Sequence, residues 1–408
     1  MEDARLIRTL EVENFLSYGS GAEPIELRPL NVLIGPNASG KSNLLEAIAI
    51  LRATPTDLMG PVRQGGGIAE WLWKGTAGTS VTARIEATMS HPRRFTPLRY
   101  RLCFAQVGQR IELVDEVIEN ERSTEAGKQD PFFFYRFQDG HPVLNIRGTP
   151  EGEEEPEGGG EKRFLRREDL SSEQSVLSQR KDPDQYPEVT YVGKQFADIR
   201  LFREWNLGRF TAPRLPQRPD LAGDFLEEDA ANLGLVLNLL EHQPGAKKQI
   251  IRLLQKFYER VEDITVKIYG GTVQIFIHER GLKGPIPATR LSDGTLRYLC
   301  LLTVFCHPTP PPLVCIEEPE LGLHPDILPT VADLLVEASQ RTQLIVTTHS
   351  DLLVSALSER PDAVLICDYD REVGTTLKRL DPKRLAKWLE NYSLGDLWLK
   401  GELGGSRW

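Results

Sequence analysis

Cysteine is scarce in this 408-residue chain, with five in all. Cys103, Cys300, Cys306, Cys315 and Cys367 are scattered, mostly within apolar stretches, and no two stand in a C-x-x-C spacing. That excludes a disulfide framework or zinc ribbon and points to reduced core thiols. No uninterrupted apolar run approaches the roughly 18 to 20 residues of a membrane span. The opening MEDARLIRTLEVENF is broken by charge throughout, so no secretory leader and a cytoplasmic location are expected. Positive charge is in deficit, with 49 Lys and Arg against 59 Asp and Glu, a formal net charge of −10. Such a chain does not coat nucleic acid through bulk electrostatics, because that affinity comes from cations neutralising phosphates. Sustained heptads and internal repeats are also missing, which excludes a long coiled-coil arm.

What is present begins at Leu30. The stretch LNVLIGPNASGKSNLL reads as a strand, a glycine-bounded loop and the first turn of a helix. Gly35, Pro36, Asn37, Ala38, Ser39, Gly40, Lys41, Ser42 and Asn43 carry the phosphate-loop pattern G-x-x-x-x-G-K-[ST]. Backbone N–H groups of such a loop wrap a polyphosphate, and the helix N-terminus adds its positive dipole end. Lys41 is expected to reach the β- and γ-phosphates, and the Ser42 hydroxyl to ligate Mg²⁺. The expected ligand is therefore a nucleoside triphosphate.

The rest of the chain falls into stretches of different rhythm. Runs at Arg5 to Phe15 and Pro24 to Arg28 alternate like strands. Val81 to Met89, Leu98 to Val107, Arg110 to Glu119 and Pro131 to Phe137 are β-rich, with breaks that suggest an antiparallel sheet. Pro150 to Glu161 is acidic and glycine-rich, so a disordered loop is expected. Helical spacing follows over Gly193 to Leu207, Asp224 to His242 and Ala246 to Val261. Two short strands, Ile264 to Tyr269 and Thr272 to His278, flank Gly270-Gly271. Beyond Arg290 an α/β rhythm returns. Helices are expected at Gly294 to Phe305 and Asp326 to Gln340, and strands at Leu313 to Ile316, Gln343 to Thr347 and Ala363 to Cys367. The expected fold class is α/β, with one nucleotide-binding domain made of residues 1–80 and 282–380. Residues 81–281 would be a mixed α+β insertion, and residues 381–408 an aromatic tail. Three basic runs, His91 to Arg101, Lys162 to Arg167 and Arg200 to Arg218, are candidate nucleic-acid contacts or solvated surface.

Three further motifs carry chemistry. Leu313 to Glu318 is an apolar strand ending in two carboxylates, Glu317 and Glu318. Beside a phosphate loop, one acid would sit near Mg²⁺ and the next near the attacking water; the plainer reading is a core strand with a charged exit. Gln343 to Ser350 is a second buried strand that delivers His349 at its carboxyl end, where ligands of open α/β sheets bind. Leu291-Ser292-Asp293-Gly294-Thr295 opens a helix, and is either an anion-presenting N-terminus or a plain N-cap. Asp368 and Asp370 follow directly on a strand and read as a turn. The tail holds Trp388, Tyr392, Leu394, Leu397, Trp398, Leu399 and Trp408, fit either for packing on the chain itself or for a partner.

In order, GPNASGKSN, LSDGT, EEPELGLHP and TTHS resemble the ATP-binding-cassette ATPases of the RecF, SMC and OLD group. The nearest resemblance is to stand-alone bacterial AAA-type ATPases with an OLD-like head and no TOPRIM nuclease domain. It covers about residues 1–80 and 285–370 and is weak across the insertion. It implies a P-loop head that binds ATP and Mg²⁺, hydrolyses ATP, and dimerises by sandwiching nucleotide between two copies. Ser292, Asp293 and Gly294 would then meet the nucleotide of the other copy. Glu318 would polarise water, His349 would sense γ-phosphate, and Leu321 to Pro325 would form the seam. Glu317 stands where the family usually has Asp, and LSDGT replaces the transporter-like LSGGQ. The glutamine that links ATP to the neighbouring lobe is either Gln64 or Gln195. The implied role is a molecular switch in bacterial DNA repair or anti-phage defence, with DNA or a separately encoded nuclease as partner. The alternative is an ATP-bound scaffold or sensor with little turnover.

Overall fold

The computed structural model describes residues 5–75, 81–92, 96–123, 130–138, 141–147, 160–165 and 170–405. Most of the acidic stretch expected as a disordered loop, residues 150–159, lies outside them, as do 93–95, 166–169 and Trp408. From the N-terminus come β1 (Ile7–Glu13), β2 (Ile25–Glu26), β3 (Leu30–Ile34) and α1 (Lys41–Ala53). Helices α2 (Met59–Gln64) and α3 (Ile68–Trp71) precede β4 (Thr82–Met89), β5 (Leu98–Val107) and β6 (Arg110–Asn120). Next are β7 (Phe133–Gln138), β8 (His141–Arg147), β9 (Gly160–Phe164), α4 (Val176–Gln179), α5 (Pro187–Ala197) and β10 (Arg200–Phe202). Helices α6 (Leu233–Glu241) and α7 (Pro244–Phe257) lead to β11 (Val261–Tyr269), β12 (Thr272–Glu279) and β13 (Ile286–Pro287). The α/β stretch holds α8 (Asp293–Phe305), β14 (Leu313–Glu317), α9 (Leu328–Ala338), β15 (Gln343–Thr347) and α10 (Asp351–Ser355). The chain closes with β16 (Val364–Asp370), β17 (Gly374–Arg379), α11 (Pro382–Leu389) and α12 (Leu394–Leu399).

Two compact units form. The first gathers Met1–Arg28, Gly35–Ile199 and Ile366–Lys378; the second gathers Pro29–Ile34, Arg200–Leu365 and Arg379–Trp408. In the first unit, eight strands pair in the order β2-β1-β4-β5-β6-β7-β8-β9, and each described pairing is antiparallel. The alternation of β4 turns Ala83, Ile85 and Ala87 into the core, which gives the sheet one apolar face. Aromatic rings fill that core, with Phe15 edge-on to Phe104 and Tyr100 edge-on to Phe196. Polar positions pair across strands instead. Arg84 meets Glu13 at 3.0 Å, Arg101 meets Glu86 at 2.7 Å, and Arg99 donates to Glu119 at 2.9 Å. Arg99 and Arg101, part of one candidate nucleic-acid run, are thus engaged by carboxylates of their own sheet.

The second unit carries the parallel strands β10-β14-β15-β3. Strands β3 and β15 are buried along their whole length. Their unbroken apolar sequences suit a parallel sheet covered on both faces. Helices α7, α8 and α9 pack in series, and the β11-β12-β13 meander lies against α6 and α7. The longest described helix, α7, has 14 residues, so no long coiled coil exists among the described residues.

Two expected helices are shorter in the structure. The pattern over Gly193 to Leu207 is helical only to Ala197; Arg200–Phe202 then pairs with Val314–Ile316 as β10. A tertiary partner overrides the local periodicity there. Over Asp224 to His242 the helix begins only at Leu233. Before it, Asn232 donates to the carbonyls of Ala222 and Phe225 and accepts from Glu227 N, while Ala230 has φ 56°. A side chain that bonds the local backbone this way competes with helix formation. All five cysteines are buried, and none forms a disulfide.

Candidate functional site

The phosphate loop leaves the end of β3, and its residues from Gly35 onward belong to the first unit. Gly40, the N-cap of α1, has φ 100°, and a Cβ there would stand 2.1 Å from Thr375 Oγ1. Only glycine fits both the left-handed backbone and the close approach. The turn is braced from several sides. Thr375 Oγ1 donates to Ser39 O at 2.9 Å, Cys367 Sγ to the same oxygen at 3.1 Å, and Asn43 Nδ2 to Ser17 Oγ at 2.7 Å. Burial pushes the Cys367 thiol up to about 11, so it acts as a packing group rather than a nucleophile.

Lys41 is buried, at 6% exposure, and its ammonium donates to Gly35 O at 2.8 Å and Pro36 O at 3.0 Å. The charge is therefore held over the loop's own concave backbone, where a polyphosphate would lie. Ser39 Oγ is buried with no partner, a hydroxyl poised at the loop. No side chain caps α1 and its first turn holds no acid, which leaves its amides suited to an anion. These residues fit a nucleoside triphosphate. Gln64 ends α2 and is exposed, while Gln195 is half-buried on α5; both belong to this unit, and neither is singled out by its surroundings.

The carboxylates and the histidine lie in the second unit. Strand β14 is buried until Glu317, which emerges half-exposed at its end. Glu318 has φ 47°, and its N–H donates to Thr347 O at 3.0 Å at the end of the neighbouring β15. A glutamate held in the left-handed region costs roughly 1 to 3 kcal/mol, and such strain persists where surroundings fix it. That backbone turns the carboxylate towards His349, whose Nε2 is 3.7 Å from Glu318 Oε1.

Sequence reading gave no role to Glu320, which organises this corner. Its Oε1 accepts from Thr348 Oγ1 at 2.6 Å and from His349 N at 2.9 Å. The backbone of His349 is thus fixed by an acid two residues beyond Glu318. Glu320 Oε2 and Thr347 Oγ1 are buried without partners, so polar capacity remains at the strand ends. The available signal was the third acid of EEPE facing the hydroxyls of TTHS.

The LSDGT segment forms the N-terminus of α8. Ser292 is the N-cap, with its hydroxyl accepting from Thr295 N at 3.1 Å and lying 2.8 Å from Thr295 Oγ1. The plain N-cap expectation therefore holds locally. A Cβ on Gly294 would come within 2.7 Å of Gly322 O, which packs the segment against the Leu321 to Pro325 turn. Asp293 is exposed but bonded by the buried Arg214. Arg214 falls within the candidate nucleic-acid run Arg200 to Arg218, and no local pattern marks it otherwise.

Asp370 accepts from Glu372 N at 2.7 Å and Val373 N at 3.1 Å, and Asp368 from Tyr369 N at 2.9 Å. Both carboxylates serve the backbone around the β16–β17 turn. Among the described residues no group of three His, Cys, Asp or Glu could hold a metal. Ser42, in the first unit, and Glu317, in the second, each carry a hard oxygen of the kind that Mg²⁺ accepts.

A phosphate loop on a parallel strand, with acids and a histidine at the ends of two others, defines an ATP-binding P-loop NTPase. The family described as "AAA domain, putative AbiEii toxin, Type IV TA system" matches residues 30–355, and the chain belongs to that family. No curated protein matches the sequence. Among solved structures the chain is similar to an SMC head bound to the C-winged helix domain of ScpA. That match has 16% identity and a TM-score of 0.56 over 94% of this chain and 99% of the other. A Pyrococcus furiosus SMC head with an extended coiled coil, bound to the C-terminal domain of ScpA, has 15% identity and a TM-score of 0.53. It covers 94% of this chain and 98% of that one. A Pyrococcus yayanosii SMC head with a coiled coil and joint gives 12% identity and a TM-score of 0.51, over 94% and 99%. These likenesses give the fold, an SMC-head-like α/β NTPase. Among the described residues no helix is long and apolar enough to cross a membrane.

Proposed function

We propose that this chain is an ATP-hydrolysing molecular switch of the RecF, SMC and OLD group, closest to the OLD-like branch, whose heads dimerise around ATP. The observation that carries the proposal is the strained Glu318 facing His349 across 3.7 Å at paired strand ends. Such a fixed carboxylate is built to act, since a merely solvated acid needs no left-handed backbone.

In this reading Lys41 leaves the carbonyls of Gly35 and Pro36 and takes the β- and γ-phosphates, while the loop amides from Gly35 to Ser42 wrap them. Ser42 and Glu317 would hold Mg²⁺, which would supply neutralisation of phosphate charge. Glu318 accepts a hydrogen bond from the attacking water and orients it, and His349 reads the γ-phosphate. Glu320 keeps His349 in place. Ser292, Asp293 and Gly294 meet the nucleotide held by a second copy, with Leu321 to Pro325 at the seam. The link to the neighbouring lobe is Gln64 or Gln195. The switch works in the bacterial cytoplasm in DNA repair or anti-phage defence, through DNA or a separately encoded nuclease. The SMC heads described with ScpA are examples of such a head engaged by a protein partner.

The test is the mass of Glu318→Gln by light scattering, with and without Mg-ATP, beside its turnover. Turnover is expected to fall about 100-fold or more, as for loss of a general base, while a dimer appears only with Mg-ATP. Unchanged turnover would end the role given to Glu318. Unchanged mass together with low wild-type turnover would favour an ATP-bound scaffold.

A further inference from the structure

Arg214 joins separate stretches of the second unit through one guanidinium. Its side chain is 7% exposed. Nε donates to Leu207 O at 3.0 Å, Nη1 to the carbonyl of Leu291, and Nη2 to Oδ1 of Asp293. Leu291 and Asp293 are the residues on either side of Ser292. One planar fork therefore holds both neighbours of that serine, a geometry that a lysine point charge cannot reproduce. Burial of an arginine is tolerated only when its donors are satisfied, and here three acceptors meet it.

The base of this arginine is fixed as well. Three residues on, Gln217 N donates to Val273 O at 2.8 Å and Val273 N returns a bond to Gln217 O at 2.9 Å. The Gln217 side chain accepts from Gly234 N at 2.7 Å. The segment is thus clamped to β12 and to α6, and its arginine reaches from that lobe to the start of α8.

We infer that Arg214 is a positioning residue for the LSDGT segment. It sets how Ser292 and Gly294 are presented to the nucleotide of a second copy, and ties that presentation to the α6–β12 lobe. The inference rests on the two-head reading above.

The experiment mixes variants of the full chain. Arg214→Lys alone should keep Mg-ATP binding, since its own phosphate loop is intact, yet lose hydrolysis by about 100-fold, as for a small misplacement of a reacting group. Lys41→Ala alone should be inactive. Mixed together, the two should regain turnover, because the intact loop of one chain meets the intact LSDGT of the other. Ser292→Arg mixed with Lys41→Ala is the control for the two-head arrangement. Recovery in the control but not with Arg214→Lys overturns the inference and leaves the two-head reading standing. Recovery in neither mixture means the two-head reading itself has failed. Full activity of Arg214→Lys alone also overturns the inference. Should that variant fold poorly, Arg214→Gln replaces it; a partial loss rescued by Lys41→Ala supports the role, and no loss counts against it.

Discussion

Gly294 shows how a single residue at this site answers to two opposing preferences. Within a helix, Gly→Ala normally stabilises by about 1 kcal/mol. Here the added Cβ would stand 2.7 Å from Gly322 O, a backbone atom that cannot swing aside. Overpacking of that kind costs about 1 to 3 kcal/mol, so the clash is expected to win. Gly294→Ala should lower the urea midpoint and reduce ATP turnover by displacing the Leu321 to Pro325 turn; a midpoint that rises instead would show the turn is free to move. Glu318 and Glu320 divide labour at the same scale. Glu318 presents its carboxylate through a left-handed backbone, whereas Glu320 spends one oxygen on Thr348 and His349.

Among the elements, the two C-terminal helices behave oppositely. Helix α12 opens with a capping box between Ser393 and Asp396 and buries Leu394, Leu397 and Trp398. It packs on α10, and Leu394 N donates to Ser358 Oγ just beyond that helix at 2.9 Å. Helix α11 buries none of its residues and leaves Trp388 46% exposed. Leu397→Ala is expected to cost about 2 to 5 kcal/mol as a core truncation. Trp388→Ser should stay within about 0.5 kcal/mol, as for a surface site. Urea unfolding of the two variants checks the contrast, and equal losses would contradict it. Of the two readings open for the tail, α12 follows the packing one. The apolar spacing of its sequence was legible; which helix it covers was not, because α10 lies some forty residues away in the chain. The strand β10 makes the same point, since only its pairing with β14 decides against a longer helix.

For the molecule as a whole, stability should depend on pH through His307. Its ring is 2% exposed, set edge-on to Phe225, with Nε2 unpartnered. Burial pushes its pKa below the ordinary 6.5. The unfolded chain therefore takes up a proton before the folded one does. This contribution is complete above about 6.5 and is lost as pH falls from there through the lowered folded value. Unfolding free energy measured across that window should fall with acid, and His307→Phe should flatten the slope. An unchanged slope would assign the acid sensitivity elsewhere.

The sequence by itself determined what is local. GPNASGKSN specifies its loop because the glycines, the lysine and the amides that shape it lie within nine consecutive residues. The apolar runs of β3 and β15 declare buried parallel strands for the same reason, and Ser292 declares its cap. Only the tertiary structure decided what joins distant segments. Examples are the left-handed turn of Glu318 fixed by Thr347, the hold of Glu320 on His349, and the fork of Arg214 beneath LSDGT. A carboxylate or guanidinium in a sequence states its charge but not its partner. That partner is chosen when folding removes water and leaves each buried donor and acceptor to find another.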